Sequence, residues 1–317
     1  MNLLIRLGQI LLTSIVILIV VGTVAFYRRD IPVNELKAKY ANAASRFVTV
    51  DGLSVHYRAE GTPARDSVPL VLLHGTGASL LTWDGWVRDL GTDRRMIRLD
   101  LPAHGLTGPN ATNSYSGDYY VRFLTEFLDK TGVRQCDLGG NSLGGAVAWR
   151  FALAHPGRVR RLVLVDAGGY PAVSKSVPLA FQLARIPVIN RFIAFLTPRS
   201  IVEQSLKNVY ADDSRVTPQL VDQYMDMALR TGNRRAFVSR MTAPPDSAWQ
   251  RIGQIRQPTL ILWGQQDRLI PVQNAYRFQR DLPNDTLVIM PNAGHVPMEE
   301  RPHESARIVR AFLKILR

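Results

Sequence analysis

The residues best placed to do chemistry lie in Asp137-Leu138-Gly139-Gly140-Asn141-Ser142-Leu143-Gly144-Gly145. A β-prone apolar run, Val133 to Leu138, leads into this stretch, and a helix-like run, Ala146 to Ala154, leads out. Gly140-x-Ser142-x-Gly144 between a strand and a helix makes a sharp turn that holds the serine in strained backbone geometry. The flanking residues are glycines because a Cβ at either position would collide with the neighbouring strand or helix. The turn lifts the Ser142 hydroxyl to a helix N-terminus, where the dipole favours negative charge. The chemistry this pattern predicts is nucleophilic attack by the serine oxygen.

A serine hydroxyl is a weak nucleophile until a base takes its proton. Six histidines could serve: His56, His74, His104, His155, His295 and His303. Reactive groups of open α/β sheets collect beyond the carboxyl ends of strands, which leaves His74, His104 and His295. His295 follows the last predicted strand in Pro291-Asn292-Ala293-Gly294-His295-Val296-Pro297. A base is oriented by a carboxylate. Asp267 sits just past the preceding strand, in Trp263-Gly264-Gln265-Gln266-Asp267, and Asp166, at another strand end, is the rival acid. The oxyanion formed on a substrate carbonyl needs donors. The N–H of Leu143 is one, and a second is expected after His74-Gly75, at Thr76 or Gly77. The single cysteine, Cys136, excludes an intramolecular disulfide and a cysteine metal site, and reads as a buried structural thiol. No metal cluster or dinucleotide fingerprint occurs, so neither metal nor cofactor is expected.

The elements that must position these groups alternate. Residues 47–50 and 53–58 read as a hairpin about Asp51-Gly52. Residues 69–73, 96–100, 133–138, 161–166, 259–264 and 286–290 read as strands, with helical spacing between most of them. This order implies a parallel sheet covered on both faces. From Gly168 to about Arg256 the alternation stops, and residues 180–196, 198–210, 218–231 and 234–241 all read as helix. The last helix is expected over residues 302–316. The 317 residues thus divide into a transmembrane anchor or signal segment (1–27), a tether (28–45), an α/β core (46–168 and 257–317) and a helical cap (169–256). Leu7 to Phe26 carries no charge and, as a helix, would span about 30 Å, so an uncleaved membrane anchor is favoured over a signal segment. Arg28, Arg29, Lys37, Lys39 and Arg46 after it lean toward a cytoplasmic main domain. The formal charge of +13 is spread along the chain without a dense basic block, which argues against nucleic acid as a partner.

Five motifs in order give the chain its resemblance to the α/β-hydrolase superfamily, over about Phe47 to Leu316. They are His74-Gly75, Asp100-x-Pro102-x-x-Gly105-x-Thr107, Gly140-Asn141-Ser142-Leu143-Gly144-Gly145, Trp263-Gly264-x-x-Asp267-x-x-x-Pro271 and Gly294-His295. The resemblance implies an α/β-hydrolase fold with a helical cap, a Ser142–His295–Asp267 triad, and Asp100 as a holder of its own loop. It also implies that Trp83 lines the pocket. The family's epoxide hydrolases and dehalogenases use an aspartate nucleophile, which Ser142 argues against. Its carbon–carbon bond hydrolases usually carry Gly-Pro-Gly where this chain reads Thr76-Gly77-Ala78. The expected activity is therefore hydrolysis of a small hydrophobic carboxylic ester, lipid-like acyl esters included. The alternatives are carbon–carbon hydrolysis of a ring-fission diketone, or a membrane-anchored binding protein without activity. The apolar stretch 181–196 is expected to roof an acyl pocket and to touch the bilayer.

Overall fold

The protein, a computed structural model, is described over residues 2–62, 68–171, 174–193, 195–244 and 247–315. The chain opens with α1 (Asn2–Phe26) and α2 (Val33–Tyr40). Eight strands follow: β1 (Ser45–Val50), β2 (Leu53–Glu60), β3 (Leu70–Leu73), β4 (Met96–Leu99), β5 (Cys136–Asn141), β6 (Val159–Val165), β7 (Thr259–Gly264) and β8 (Asp285–Met290). They form one sheet in the order β1-β2-β4-β3-β5-β6-β7-β8. The β1–β2 hairpin turns at Asp51 and Gly52, both at positive φ, as an Asp-Gly turn requires. β2 pairs antiparallel with β4, and every later pairing is parallel.

Alternation along the strands divides the interior into two cores, one on each face of the sheet. Leu70, Leu72, Leu260 and Leu262 join one; Val71, Leu73, Ile261 and Trp263 join the other. The first is covered by α3 (Asp84–Leu90), through Trp86 and Leu90, with α12 (Pro297–Glu300) and α13 (Pro302–Ile315). The second is covered by α4 (Gly117–Lys130), α5 (Leu143–Ala154) and α11 (Gln273–Asp281), through Phe123, Phe127, Val147 and Phe278. Cys136 is buried in β5, where burial pushes its thiol up to about 12.

Among the described residues between β6 and β7 the regular elements are all helical: α6 (Leu179–Ala184), α7 (Ile189–Ile193), α8 (Arg199–Val209), α9 (Pro218–Leu229) and α10 (Asn233–Met241), with two 3₁₀ turns. The helix expected over 180–196 is broken in two. Pro187 cannot donate a ladder bond, and Val188 takes a positive φ of 72°. Ala194 of that stretch and Leu316 of the last expected helix lie outside the described residues.

The expected membrane anchor is overturned. Among the described residues no helix is long and apolar enough to cross a membrane. Arg6, Gln9 and Thr13 recur at helical spacing in the first half of α1 and give that half a polar stripe. The C-terminal end of α1 is instead tied to the cap region: Thr197 N–H donates to Phe26 O, and Arg28 N–H donates to Phe195 O at 3.1 Å. The bilayer partner through α1, and the membrane localisation with its cytoplasmic-side placement, fall with the anchor.

Candidate active site

Ser142 stands at the β5–α5 turn with φ 53° and ψ −113°, a conformation that non-glycine residues adopt rarely and at a cost. Two glycines make the turn possible. A Cβ on Gly144 would lie 2.0 Å from Leu73 O, and one on Gly140 would lie 2.3 Å from the Gly144 carbonyl carbon. The backbone is pinned on both sides. Ser142 N–H donates to Val165 O at 3.1 Å, and Ser142 O accepts from Gly168 N–H at 2.9 Å.

His295 is held from three directions. Its Nδ1 lies 2.7 Å from Asp267 Oδ2. Its N–H donates to Val209 O, at the end of α8, at 2.7 Å. Its carbonyl accepts from Asn141 Nδ2 at 2.9 Å, and the same amide donates to Val165 O. The residue beside the nucleophile thus carries the histidine loop. Asp267 is fixed by N–H bonds from Leu269 and Ile270 to its Oδ1, leaving Oδ2 for the imidazole. With Nδ1–H facing a carboxylate, Nε2 is left as the base. The Ser142 hydroxyl makes no hydrogen bond to His295 among the described residues; such bonds often tighten only when substrate binds.

The rival acid stands close by. One oxygen of Asp166, one of Asp267 and a ring nitrogen of His295 lie within 4.8 Å of one another. Those three could present ligand atoms to a metal, but Asp267 and His295 spend theirs on each other. Asp166 is buried, sits at φ 44°, and accepts from Gly264 N–H through Oδ1, while its Oδ2 has no partner. Burial, and then the neighbouring Asp267 charge, hold the Asp166 pKa well above the usual carboxylate range.

Gly75 packs directly on the nucleophile. A Cβ there would lie 2.7 Å from Asn141 Oδ1 and 3.2 Å from Ser142 Cβ. The next residues, Thr76 and Gly77 (φ 80°), therefore start beside the serine, while Leu143 opens α5 with its N–H unclaimed by the helix. Thr76, Gly77 and Ala78 also border a cavity of about 160 Å³ walled largely by cap side chains, among them Phe181, Ile201, Leu206, Met227 and Phe237. Neither Ser142 nor His295 borders this cavity; the loop 75–78 is the link between Ser142 and it. Trp83 is not a wall of the cavity. It is wholly buried against Trp86, centroids 4.8 Å apart, in the core on the α3 face.

The other histidines have different occupations. His74 Nδ1 donates to Gly75 O at 2.8 Å and Nε2 accepts from Leu101 N–H at 3.0 Å. The ring is a neutral brace, and burial lowers its pKa. His104 Nδ1 donates to Pro102 O, and its buried Nε2 has no partner. His56 completes a second constellation that sequence order concealed. Its Nδ1 lies 2.8 Å from Asp100 Oδ2 and its Nε2 lies 2.9 Å from Ser45 Oγ. Asp100 also accepts the N–H groups of Leu80 and Leu106, as a loop-holding residue would. Arg240, which donates to Thr76 Oγ1 at 2.6 Å, was equally unmarked in sequence.

The sequence profile of the alpha/beta hydrolase fold matches residues 68–302. A 2-hydroxy-6-oxononadienedioate/2-hydroxy-6-oxononatrienedioate hydrolase of Burkholderia vietnamiensis is 31% identical over 292 residues, 86% of this chain and 96% of that protein. A 2-hydroxy-6-oxo-6-phenylhexa-2,4-dienoate hydrolase of Burkholderia cepacia is 26% identical over 288 residues, 86% of this chain and 97% of that one. Among solved structures, a bacterial membrane phospholipase A superposes with a TM-score of 0.71 at 26% identity, over 98% of this chain and 97% of that one.

Proposed function

The chain belongs to the alpha/beta hydrolase fold family, and we propose that it is a serine hydrolase of carboxylic esters with a hydrophobic, lipid-like acyl group. The observation that carries this reading is the strained Ser142, packed against an oxyanion loop that opens into an apolar cavity. Ser142 Oγ attacks the acyl carbon while His295 Nε2 takes its proton. Asp267 fixes the imidazole and stabilises its charged form. The N–H groups of Leu143 and of Thr76 or Gly77 hold the oxyanion, each contributing about 3 kcal/mol to the transition state. Collapse expels the alcohol, which takes the proton from His295. Water, deprotonated by His295, then releases the acid.

Two observations favour an acyl ester over a dienoate. The cavity wall is almost wholly apolar, and its one bordering cation, Arg234, is already paired with Asp30 at 2.6 Å. The likeness to the phospholipase covers 98% of this chain, that to the dienoate hydrolase 86%. The second reading, hydrolysis of a carbon–carbon bond in a ring-fission diketone, is favoured by the names of the curated relatives. Both readings use Ser142, so one comparison separates them. Nitrophenyl esters of two to twelve acyl carbons are assayed beside a 2-hydroxy-6-oxo-dienoate. Rising kcat/KM with acyl length supports the ester reading; a dienoate kcat/KM above every ester sinks it. A fluorophosphonate probe that labels the wild type but not Ser142→Ala supports both, and an unlabelled wild type favours a non-catalytic binding role.

A further inference from the structure

The general base is held from the cap as well as from the core. α8 turns one face to the cavity through Ile201, Val202, Ser205, Leu206 and Val209. The last of these also supplies the carbonyl that takes the His295 N–H at 2.7 Å. The chain just beyond it is clasped by Glu300, which is only 1% exposed. Glu300 Oε2 accepts Ala211 N–H and Oε1 accepts Gly294 N–H, both at 2.7 Å. Glycine at 294 lets the two backbones touch: a Cβ there would lie 2.4 Å from Val209 O and 2.8 Å from Ala211 N. The neighbouring acid, Glu299, takes the hydroxyls of Tyr210, Tyr224 and Thr82, and so ties α9 and the end of α8 to the core. Hydrogen bonds to a carboxylate are roughly twice as strong as neutral ones, and a buried carboxylate stripped of its donors is costly. Residues 209–211 and 294–295 are therefore bound into one piece. On the core side His295 has Asp267, yet the Ser142 hydroxyl makes no hydrogen bond to it among the described residues. The base is oriented but not engaged, and the part of the cap bonded to it is the part that walls the cavity.

We propose that Glu300 is a positioning residue that makes α8 the carrier of the general base. An acyl chain that fills the cavity shifts α8, and the Val209 carbonyl and the Glu300 clasp pass that shift to His295, which closes its hydrogen bond to Ser142. The energy comes from contacts that the chain makes better in the aligned state than in the empty one. Binding far from the scissile bond is thereby expressed as rate rather than as affinity. The proposal rests on the hydrolase reading above and adds a substrate requirement to it: an acyl chain long enough to reach α8.

The test uses the full chain and two inactivators, p-nitrophenyl ethyl methylphosphonate and p-nitrophenyl ethyl octylphosphonate. Ser142 Oγ attacks phosphorus, His295 takes the serine proton and nitrophenolate leaves, so the reaction is followed by colour. Saturation kinetics separate the limiting rate, kinact, from the affinity, KI. Each kinact is divided by the compound's rate with hydroxide, which removes intrinsic reactivity. In the wild type the octyl compound is expected to have the higher corrected kinact, by tenfold or more. Glu300→Gln presents one acceptor oxygen to two N–H groups. It is expected to cut the octyl-to-methyl ratio at least fivefold, with the octyl KI changed less than twofold. Equal corrected kinact values in the wild type, or an unchanged ratio in Glu300→Gln, overturn the proposal. A merely structural clasp would lower the urea midpoint without moving the ratio. If Glu300→Gln does not fold, Tyr210→Phe replaces it. Loss of the hydroxyl that ties the end of α8 to Glu299 should cut the ratio threefold or more, and an unchanged ratio overturns the coupling. A wild type that neither phosphonate inactivates removes the hydrolase reading itself, whereas one inactivated equally by both removes only the coupling.

Discussion

Among the described residues two buried His–Asp pairs occur, and by hydrogen bonding alone the one at His56 is the better made. Asp267 and His295 approach to 2.7 Å, Asp100 and His56 to 2.8 Å, yet only His56 also reaches its serine, at 2.9 Å from Ser45 Oγ. The surroundings reverse the ranking. Ser45 opens β1, paired with Arg58, and its hydroxyl already accepts from Arg58 Nε at 3.2 Å and Asn42 N–H at 3.2 Å. The His56 ring is stacked on Phe47. Ser142 by contrast sits at a positive φ on a helix N-terminus, with the Gly75 loop against it and its hydroxyl uncommitted. A fully satisfied triad is a structural knot. Reactivity needs a nucleophile left unsatisfied where donors await charge that does not yet exist.

Exchanging the two serines tests this contrast most severely. Ser142→Ala should lower kcat/KM by about 10⁴-fold or more, whereas Ser45→Ala should change it less than twofold in the same ester assay. A comparable loss in both would break the distinction. The two aspartates should fail in different currencies. Asp267→Asn should lower kcat by about 10⁴-fold with little change in the urea midpoint. Asp100→Ala should lose about 3 kcal/mol of stability, because it strands His56 and two N–H groups in the interior. Stability lost at 267 and activity lost at 100 would invert the assignment.

A smaller effect is expected at the loop that only the first constellation possesses. Gly75→Ala pushes a methyl toward Asn141 and Ser142. It should lower kcat by about 10²-fold while leaving the unfolding transition nearly in place; an unchanged kcat would show that the loop contributes no oxyanion donor. The smallest effect concerns the spare acid. Asp166 has a raised folded pKa, so the folded state binds more protons than the unfolded one above the ordinary carboxylate range. Its contribution to stability is therefore present at low pH and is lost as pH rises toward the folded value. Asp166→Asn removes that dependence, so wild-type stability minus Asp166→Asn stability, from urea unfolding, should fall between pH 4 and pH 8. A flat difference would mean that Asp166 is ionised beside Asp267.

The residues themselves dictated much of this. Gly140-x-Ser142-x-Gly144 between an apolar strand and a helix prescribes the tight turn, because backbone sterics act within a few residues. The continuous apolar runs of β3 and β7 prescribe strands buried on both faces, and the end of strand–helix alternation after Gly168 marks the helical insertion. Other features were not local and could not be read. Asp166 and Asp267 both follow strands, and only packing gives the imidazole to Asp267. Pro187 hinted at a break in the cap helix, but Val188 at positive φ decided it. The apolar run of α1 suggested a membrane span that the described structure does not support. Arg240 meets Thr76 across 164 positions of chain, and Asn141 reaches His295 across 154. Periodicity and turn chemistry are properties of neighbours in sequence. Which acid the imidazole meets, and which serine hydroxyl is left uncommitted, depend on distances that exist only after the chain has closed on itself.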